Sequence, residues 1–285
     1  MEIFAQVLIE GAFTGMTIAL IAMSVSLTWG VMYIVNFAQG ELMMLGMFIS
    51  YYFTQISGLD PLLCIPIAAV VMYGIGVTIY KTLIRQVMKA STLSQLLCTY
   101  ALSIVLVNVA QNIFGASFKT ITTQGFAGSV QIGDLLIALP KLIPFVIGIL
   151  VAAVLYIIVN KTQTGCAIKA TALNRDAAAL CGIDAERAFS ICMGLAAAVS
   201  GVAGVALSYY FYVYPNVGSV FMNFGFVACC IGGMGSIPGA VLGGLMMGLI
   251  DSIVGTYFNV AFKYLAMFGL FIFVVYKRPK GLFGW

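Results

Sequence analysis

The sequence predicts an all-α polytopic membrane protein with roughly eight to nine transmembrane helices, some of them short or broken. Hydrophobic residues make up 62% of its 285 residues and charged residues only 8%, which is too few charges to cover a water-soluble surface. Residues 11–40 and residues 188–250 carry no charge, and each run exceeds the ~20 residues that one spanning helix needs. We therefore expect a single transmembrane domain over residues 1–285.

Turn residues and charges divide the apolar sequence into individual spans. The expected spans are 9–34, 42–56, 62–80, 93–114, 141–160, 189–213, 219–232, 239–258 and 259–276. Residues 115–140 are polar and contain glycine, so we expect a loop that can hold a short helix or a hairpin.

Two interruptions, one in each half of the chain, predict an inverted repeat and a transport path. They lie at residues 36–41 and 232–239, between short apolar runs. Irregular backbone at membrane depth is tolerated only where it is buried in protein or lines a cavity. The residues that we expect at the path or at the helix breaks are Asn36, Phe37, Gln39, Gly40, Glu41, Asn108, Gly232, Gly233, Gly235, Ser236, Pro238 and Gly239. Close helix packing is the alternative explanation for the glycines.

Two acidic residues lie within or beside apolar runs. Glu41 stands where a half-helix begins, so the positive end of that helix stabilises its charge, and we favour a structural role. Asp251 is costly in an apolar helix unless it faces water or a partner. Neither acid has a histidine nearby, so the sequence gives little basis for proton coupling.

Residues 161–188, here called the polar segment, form the longest soluble-looking stretch of the chain. We expect a short helix that Thr164 caps and Gly182 ends, after which Asp184 caps the next helix. Small residues at three- and four-residue spacing give this helix a smooth face that a partner can approach. An ordinary amphipathic connector is the alternative.

The distribution of basic residues predicts the orientation in the membrane. Residues 81–89, the polar segment and the C-terminal tail hold ten of the thirteen lysines and arginines. The positive-inside rule places all three on the cytoplasmic side, so the C-terminus is cytoplasmic. The side of the N-terminus stays open, because it depends on whether the piece around Asn36 crosses the membrane.

The residue inventory argues against catalysis or metal binding by this chain. It has no histidine, which removes the commonest general base and a common metal ligand. Its seven cysteines are scattered without C-x-x-C spacing, so we interpret them as small apolar packing residues.

Four stretches carry a resemblance to a known family. Residues 29–41 contain the signature N-F-A-[HQ]-G-E, and residues 232–244 match G-G-x-G-S-[IL]-x-G-A followed by a glycine pair. Residues 164–183 resemble a cytoplasmic coupling segment, and residues 278–284 resemble a basic P-x-G-L-F-G tail. Together these motifs resemble the permease subunits of branched-chain amino acid ABC transporters, and they span nearly the whole chain in the expected order.

The resemblance implies a type II-like ABC importer permease in a bacterial cytoplasmic (inner) membrane. It implies two cytoplasmic ATPases, a second permease or a copy of this chain, and an extracytoplasmic binding protein. The chain has no G-x-x-x-x-G-K-[ST] loop, so ATP and Mg²⁺ belong to the partners and no cofactor is expected on this chain. The family usually has arginine where Cys166 stands here, which reduces the charge at this surface. The residues implied in the ATPase contact are Gly165, Lys169, Ala170, Asn174, Arg175, Asp176 and Gly182.

Three alternatives remain at this point. The first is an ABC permease for urea, short amides or other amino acids, which the ligand of the binding protein would distinguish. The second is a secondary transporter driven by an ion gradient, for which the broken helices would also serve. The third is an intramembrane enzyme, against which the absence of a serine–base or paired-aspartate motif argues.

Overall fold

The computed structural model of the protein describes residues 2–121, 128–132 and 135–284, and these residues are nearly all helical. The elements are α1 (Glu2–Met32), α2 (Gln39–Ser57), α3 (Ile65–Ile79), α4 (Arg85–Val87), α5 (Thr92–Phe114), β1 (Ser129–Ile132), β2 (Leu135–Ala138), α6 (Leu139–Lys161), α7 (Gln163–Leu173), α8 (Arg175–Leu180), α9 (Ala185–Leu207), α10 (Val217–Gly232), α11 (Ile237–Tyr257) and α12 (Phe262–Lys277).

The expected number of spans agrees with this architecture. Among the described residues, six helices are long and apolar enough to cross a membrane by length and composition. Helices α2, α10 and α12 are shorter, with 19, 16 and 16 residues. Six long helices and three short ones match the prediction of eight to nine transmembrane helices with short members.

Three predicted span ends differ from the structure by six residues or more. The first span begins at Glu2 and not at residue 9, because residues 2–8 are part of the same helix. The third span continues past residue 80 to Val87, because a π-helical turn at Tyr80–Ile84 carries the helix on without a break. The sixth span ends at Leu207, not at 213, because residues 208–216 leave the helix and turn inward. In that stretch Val213 is fully buried and pairs through its backbone with Lys119.

Small residues allow the central helices to pack backbone against backbone. Helices α1 and α11 run antiparallel, and Cβ atoms added to Gly11 and Gly15 would lie 2.9 and 2.8 Å from the Cα atoms of Leu249 and Leu245. Membrane helices lack a hydrophobic drive toward one another, so close approach through small residues supplies the association. The glycines of α1 are therefore explained by packing.

Helix α9 lies at the centre of the bundle and is buried along most of its length. It contacts α1 through Ser200 and Ser24, whose hydroxyls lie 3.0 Å apart. It contacts α3 where the ring of Tyr73 packs against Gly194. The contact between the two serines gives their hydroxyl groups hydrogen-bond partners, which lipid cannot provide.

The predicted loop at 115–140 contains a hairpin, in which β1 pairs antiparallel with β2. Residues 122–127 and 133–134 of that loop lie outside the described residues. The lysines that fall outside the three basic regions all lie at the hairpin end of the bundle. Lys141 pairs with Glu10 at 3.3 Å, Lys263 pairs with Asp251 at 3.0 Å, and Lys119 donates to the Tyr52 hydroxyl at 2.9 Å.

The two ends of the bundle are thus distinct. We call the end with residues 81–91, the polar segment and the tail the basic end, and the opposite end the hairpin end. The N-terminal part of α1 lies at the hairpin end, because Glu10 pairs with Lys141 and Ser252 donates to the Val7 carbonyl at 2.8 Å. The N-terminus and the tail therefore lie at opposite ends of the bundle.

Candidate functional site

The first helix break reverses the chain inside the bundle. Tyr33 ends the turn after α1 with a positive φ of 54°, a conformation that costs energy for a residue with a side chain. Asn36 is buried, and its Oδ1 accepts from the backbone N–H of Ala38 at 3.1 Å. Its amide donates to Sδ of Met193 at 3.7 Å. Asn36 therefore shapes the turn that starts α2.

Gln39 joins three helices through a buried polar chain. Its Oε1 accepts from the Ser200 hydroxyl at 3.0 Å, and Ser200 also lies 3.0 Å from Ser24. Its Nε2 is buried without a hydrogen-bond partner among the described residues. Gln39 thus links α2 to α9 and α1, and it retains unused donor capacity.

Glu41 is the buried acid of the bundle, with a side chain that is 1% exposed. Its Oε1 accepts from the Ser103 hydroxyl at 3.3 Å, whereas Oε2 has no hydrogen-bond partner among the described residues. Oε2 packs against Gly218 in the first turn of α10, and Glu41 itself lies in the first turn of α2. The Glu41 carboxyl group therefore lies beside the N-terminal, positive ends of two helices.

The second break, at 232–239, is a tight turn built from glycine. Gly233 and Gly235 have φ values of 108° and 92°, which a side chain would strain. Ser236 caps α11 by accepting from the Gly239 N–H at 3.2 Å, with Pro238 in the first turn. A Cβ on Gly30 would lie 2.7 Å from the Cα of Gly235. Gly232 likewise packs directly against Gly239, so this turn is close-packed against α1.

The C-terminal tail closes the same turn. The N–H groups of Leu282 and Phe283 donate to the carbonyls of Ile231 and Gly232 at 3.0 and 2.9 Å. These carbonyls belong to the last turn of α10, and the carbonyls of a last helical turn have no hydrogen-bond partners within their own helix. The glycine-rich motif and the P-x-G-L-F-G tail, distant in sequence, therefore form one unit at the basic end. No signal in a single sequence indicates this pairing.

Asn108 lies apart from both breaks. It is exposed on α5, and its amide donates to the Ile104 carbonyl of its own helix at 2.8 Å. The structure thus brings Asn36, Gln39, Gly40 and Glu41 together, brings Gly232 through Gly239 together with the tail, and leaves Asn108 outside both groups.

The polar segment holds two helices, so the expectation of one helix is wrong. Thr162, not Thr164, caps α7, because its Oγ1 accepts from the Gly165 N–H at 3.1 Å. Asn174 breaks the helix and caps α8, accepting from the N–H groups of Asp176 and Ala177 at 3.0 Å each. The expected ends are confirmed, since Gly182 has a φ of 79° and Asp184 caps α9.

The small face of the polar segment packs onto the bundle. Gly165 is buried where α7 folds back on α6, and a Cβ there would clash with the carbonyls of Ile158 and Val159. Thr171 and Ala178 are also buried, and Ala170 is half-buried. The small side chains of this segment therefore allow it to pack closely against the helices of its own chain.

A charged cluster fixes the polar segment to the start of α4. Glu186 pairs with Arg85 at 2.8 Å and with Arg175 at 3.0 Å, and it also accepts from the Tyr80 hydroxyl at 3.2 Å. The Arg175 guanidinium lies 5.7 Å from the ring centre of Phe189. Arg175 is thus held within the chain. Sequence reasoning missed Arg85 and Glu186, which are distant in sequence.

The outward surface of the polar segment carries two exposed leucines. Leu173 ends α7 and is 82% exposed, and Leu180 ends α8 and is 91% exposed. Lys169 is exposed beside them and donates to Asn160 at 2.6 Å, and Asp176 is exposed as well. The sequence alone does not single out these two leucines, because Ile168 and Ile183 are also large apolar residues of the segment and Ile168 is buried.

Comparison with known proteins identifies the family. The family described as "Branched-chain amino acid transport system / permease component" matches residues 7–275. The chain belongs to this family. It is a multi-pass membrane permease and not an enzyme.

Relatives in bacteria and archaea agree with this assignment. The high-affinity branched-chain amino acid transport system permease protein BraD of Pseudomonas aeruginosa is 29% identical over 294 residues, covering 99% of this chain and 96% of BraD. LivH of Salmonella typhimurium is 28% identical with the same coverage. A probable LivH of Methanocaldococcus jannaschii is 29% identical over 270 residues, covering 90% of this chain and 83% of that relative. No solved structure matches the chain.

Proposed function

We propose that this chain is the membrane-spanning permease subunit of an ATP-driven, binding-protein-dependent importer for branched-chain or related hydrophobic amino acids. The observation that carries the proposal is the family match over residues 7–275, together with relatives of that function along nearly the whole chain. The membrane is a bacterial-type cytoplasmic (inner) membrane, and residues 1–285 form one transmembrane domain.

The basic end faces the cytoplasm in this proposal. The concentration of lysine and arginine there supports it, and the C-terminus is then cytoplasmic and the N-terminus external. Two ATPase subunits bind at this end and hold ATP and Mg²⁺. A second permease or a second copy of this chain completes the membrane part, and an extracytoplasmic binding protein delivers substrate at the hairpin end.

The polar segment is the ATPase-docking surface. Leu173 and Leu180 supply its apolar contacts, which is supported by their exposure on helices that the Glu186 cluster holds in place. Lys169 and Asp176 supply exposed charges, whereas Arg175 positions α8 from within the chain. Gly165, Ala170, Asn174 and Gly182 set the shape of the segment.

ATP-dependent uptake by the reconstituted complex tests the proposed function. The complex with its ATPases, second permease and binding protein should import radiolabelled leucine, isoleucine or valine into proteoliposomes only when ATP is present on the ATPase side. Competition for leucine uptake tests the substrate assignment. If urea or a short amide suppresses leucine uptake and isoleucine and valine do not, the assignment is contradicted. Uptake by the purified chain alone under an ion gradient would contradict the whole proposal.

Charged substitutions test the docking surface separately. Leu173→Asp and Leu180→Asp should each weaken ATPase co-purification by more than about tenfold, because a central apolar contact is worth ~2 kcal/mol or more. Val260→Asp is the matched control, since Val260 is 64% exposed at the hairpin end. Equal co-purification for all three variants would remove the two leucines from the interface.

A further inference from the structure

Helix α10 begins against the first turn of α2, where Gly218 packs on Gly40 and Glu41. Its 16 residues span ~24 Å, which is shorter than the ~30 Å apolar core of a bilayer. The chain before it is irregular and folded inward, with the Tyr210 hydroxyl 3.0 Å from Thr17 of α1. Irregular backbone at this depth occurs where it is buried in protein or lines a water-filled cavity.

One face of α10 is polar and exposed. Asn216, Ser219 and Asn223 lie at spacings of three and four residues, so they follow one side of the helix, here called the α10 stripe. The opposite side packs into the bundle through Gly218, Phe221 and Gly225. An apolar membrane helix that turns the Asn223 amide outward, with Asn216 exposed at its N-cap, does not present that face to lipid without cost.

Asn223 of the stripe differs from the exposed amides on the long helices. Asn108 and Asn112 of α5 donate to carbonyls four residues earlier at 2.8 and 2.9 Å, and Asn160 of α6 does the same at 2.9 Å. Such back-bonding satisfies an amide that faces an apolar medium. Ser219 donates to the Asn216 carbonyl at 3.0 Å in the same way. Asn223, in contrast, has no hydrogen-bond partner among the described residues. Its surroundings must therefore supply one.

We infer that the α10 stripe lines the substrate path and that Asn223 and Ser219 contact the zwitterionic backbone of the amino acid as it passes. This inference rests on the proposed function and deepens it. Neutral amides and hydroxyls can donate to a carboxylate and accept from an ammonium group without trapping either charge. The path then runs along the outer face of α10, opposite the second permease, and not through the close-packed interior of this chain.

The borders of the stripe suit the rest of such a substrate. Phe226 lies beside Phe37 of the first helix break with ring centres 6.0 Å apart, and Phe224 stacks on Tyr264 of α12 at 5.7 Å. Phe224 and Phe226 follow Asn223 in the sequence of α10, and their rings offer apolar surface to a branched side chain. The stripe therefore combines polar groups for the amino acid backbone with aromatic walls for its side chain.

Cysteine accessibility in the complete complex tests the inference. The seven native cysteines are first replaced, and the cysteine-free complex must retain ATP-dependent leucine uptake. Asn223→Cys and Ser219→Cys are then compared with Ile104→Cys, because Ile104 is an exposed apolar residue of α5. A membrane-impermeant methanethiosulfonate should label positions 219 and 223 at least about tenfold faster than position 104, since the reactive thiolate forms in water and not in lipid. The rates at 219 and 223 should also change with nucleotide state.

A second measurement separates substrate contact from structure. Asn223→Leu should lower leucine uptake by about tenfold or more while ATPase co-purification is unchanged, because a buried or desolvated polar partner is lost. Asn112→Leu is the matched control, since that amide bonds only its own helix, and it should leave uptake intact.

The outcomes are distinct from those of the proposed function. Slow labelling at 219 and 223 in every nucleotide state, with wild-type uptake intact, would overturn the stripe as a path. Efficient cross-linking between two permeases at these positions without labelling would also overturn it, by identifying a dry interface. Absence of ATP-dependent uptake by the wild-type complex would contradict the proposed function itself.

Discussion

The carboxyl group of Glu41 packs directly against Gly218, so the first turns of α2 and α10 meet where α2 supplies an acidic side chain and α10 has no side chain to obstruct it. The Gly40 backbone lies against Gly218 as well, and Ser103 donates to the other carboxylate oxygen. The packing of Glu41, the last residue of the N-F-A-Q-G-E motif, therefore depends on Gly218, which lies more than half the chain length further along the sequence.

Gly218→Ala should destabilise the protein. A Cβ at this position would overlap Oε2 of Glu41 and the backbone of Gly40, and overpacking of this kind costs ~1–3 kcal/mol. Thermal unfolding in mild detergent measures the effect. Gly269→Ala is the control, because nothing lies within 4 Å of a Cβ added there, and it should leave the midpoint unchanged or raise it. Equal unfolding midpoints for the two variants would mean that Glu41 and Gly40 move aside for the added methyl group without a loss of stability.

Much of the architecture follows from the sequence because bilayer thickness and turn chemistry act locally. Uncharged runs predicted the spans, and Gly182 and Asp184 were correctly assigned as the stop and start signals around α8 and α9. The single helix predicted over the polar segment fails at Asn174. Asn174 is compatible both with the small face of one continuous helix and with the N-cap of a new helix. Only the tertiary position of α8 decides between these two roles.

The candidate site was less predictable, because its contacts join residues far apart in sequence. The breaks at 36–41 and 232–239 were recognisable from glycine and polar residues. The role of Glu186, between Arg85 and Arg175, requires α4 and α9 to be placed side by side. The prediction of an inverted repeat stays a prediction. The assignments of residues to the transport path and to the ATPase-docking surface are likewise proposals.

Glu186→Gln should reduce coupling between ATP hydrolysis and uptake more than it reduces folding. The side chain is 37% exposed, so each of its two ion pairs contributes only ~0.2–1 kcal/mol to stability. Loss of both pairs frees Arg175 and loosens α8 beneath Leu180. The ratio of substrate transported to ATP hydrolysed should fall, while the unfolding midpoint changes little.

Glu10→Gln is the matched control for this change. Glu10 also forms an ion pair, with Lys141, but at the hairpin end of the bundle. That variant should leave the coupling ratio unaltered. Raised salt should weaken coupling in the wild type and have little further effect in Glu186→Gln, because screening acts on the same exposed pairs. Identical salt responses in the two proteins would argue against a role for this cluster.

The Asp251–Lys263 pair should show a larger coupling energy than the Glu10–Lys141 pair. Both partners are 26% exposed and joined at 3.0 Å, and Gly255 leaves room for the lysine stem to reach the acid. Removing either charge alone leaves the other uncompensated in an apolar setting. A double-mutant cycle with Asp251→Asn and Lys263→Met should give an interaction energy of ~1–3 kcal/mol, against less than ~1 kcal/mol for the more exposed pair. Equal values would place Asp251 in a water-rich environment.

Gly281→Ala should release the tail from the turn between α10 and α11. Gly281 has a φ of 79°, and a Cβ there would lie 2.5 Å from the Cα of Gly233 and 2.7 Å from the Cys230 carbonyl. The donors of Leu282 and Phe283 then lose their partners, and the last carbonyls of α10 lose theirs. Hydrogen exchange followed by mass spectrometry should show faster exchange in residues 278–284 and 229–236. Exchange in residues 245–257 should be unchanged, because that part of α11 is held by α1 and not by the tail. Unchanged exchange in both of the first two segments would show that the tail is not what holds the turn.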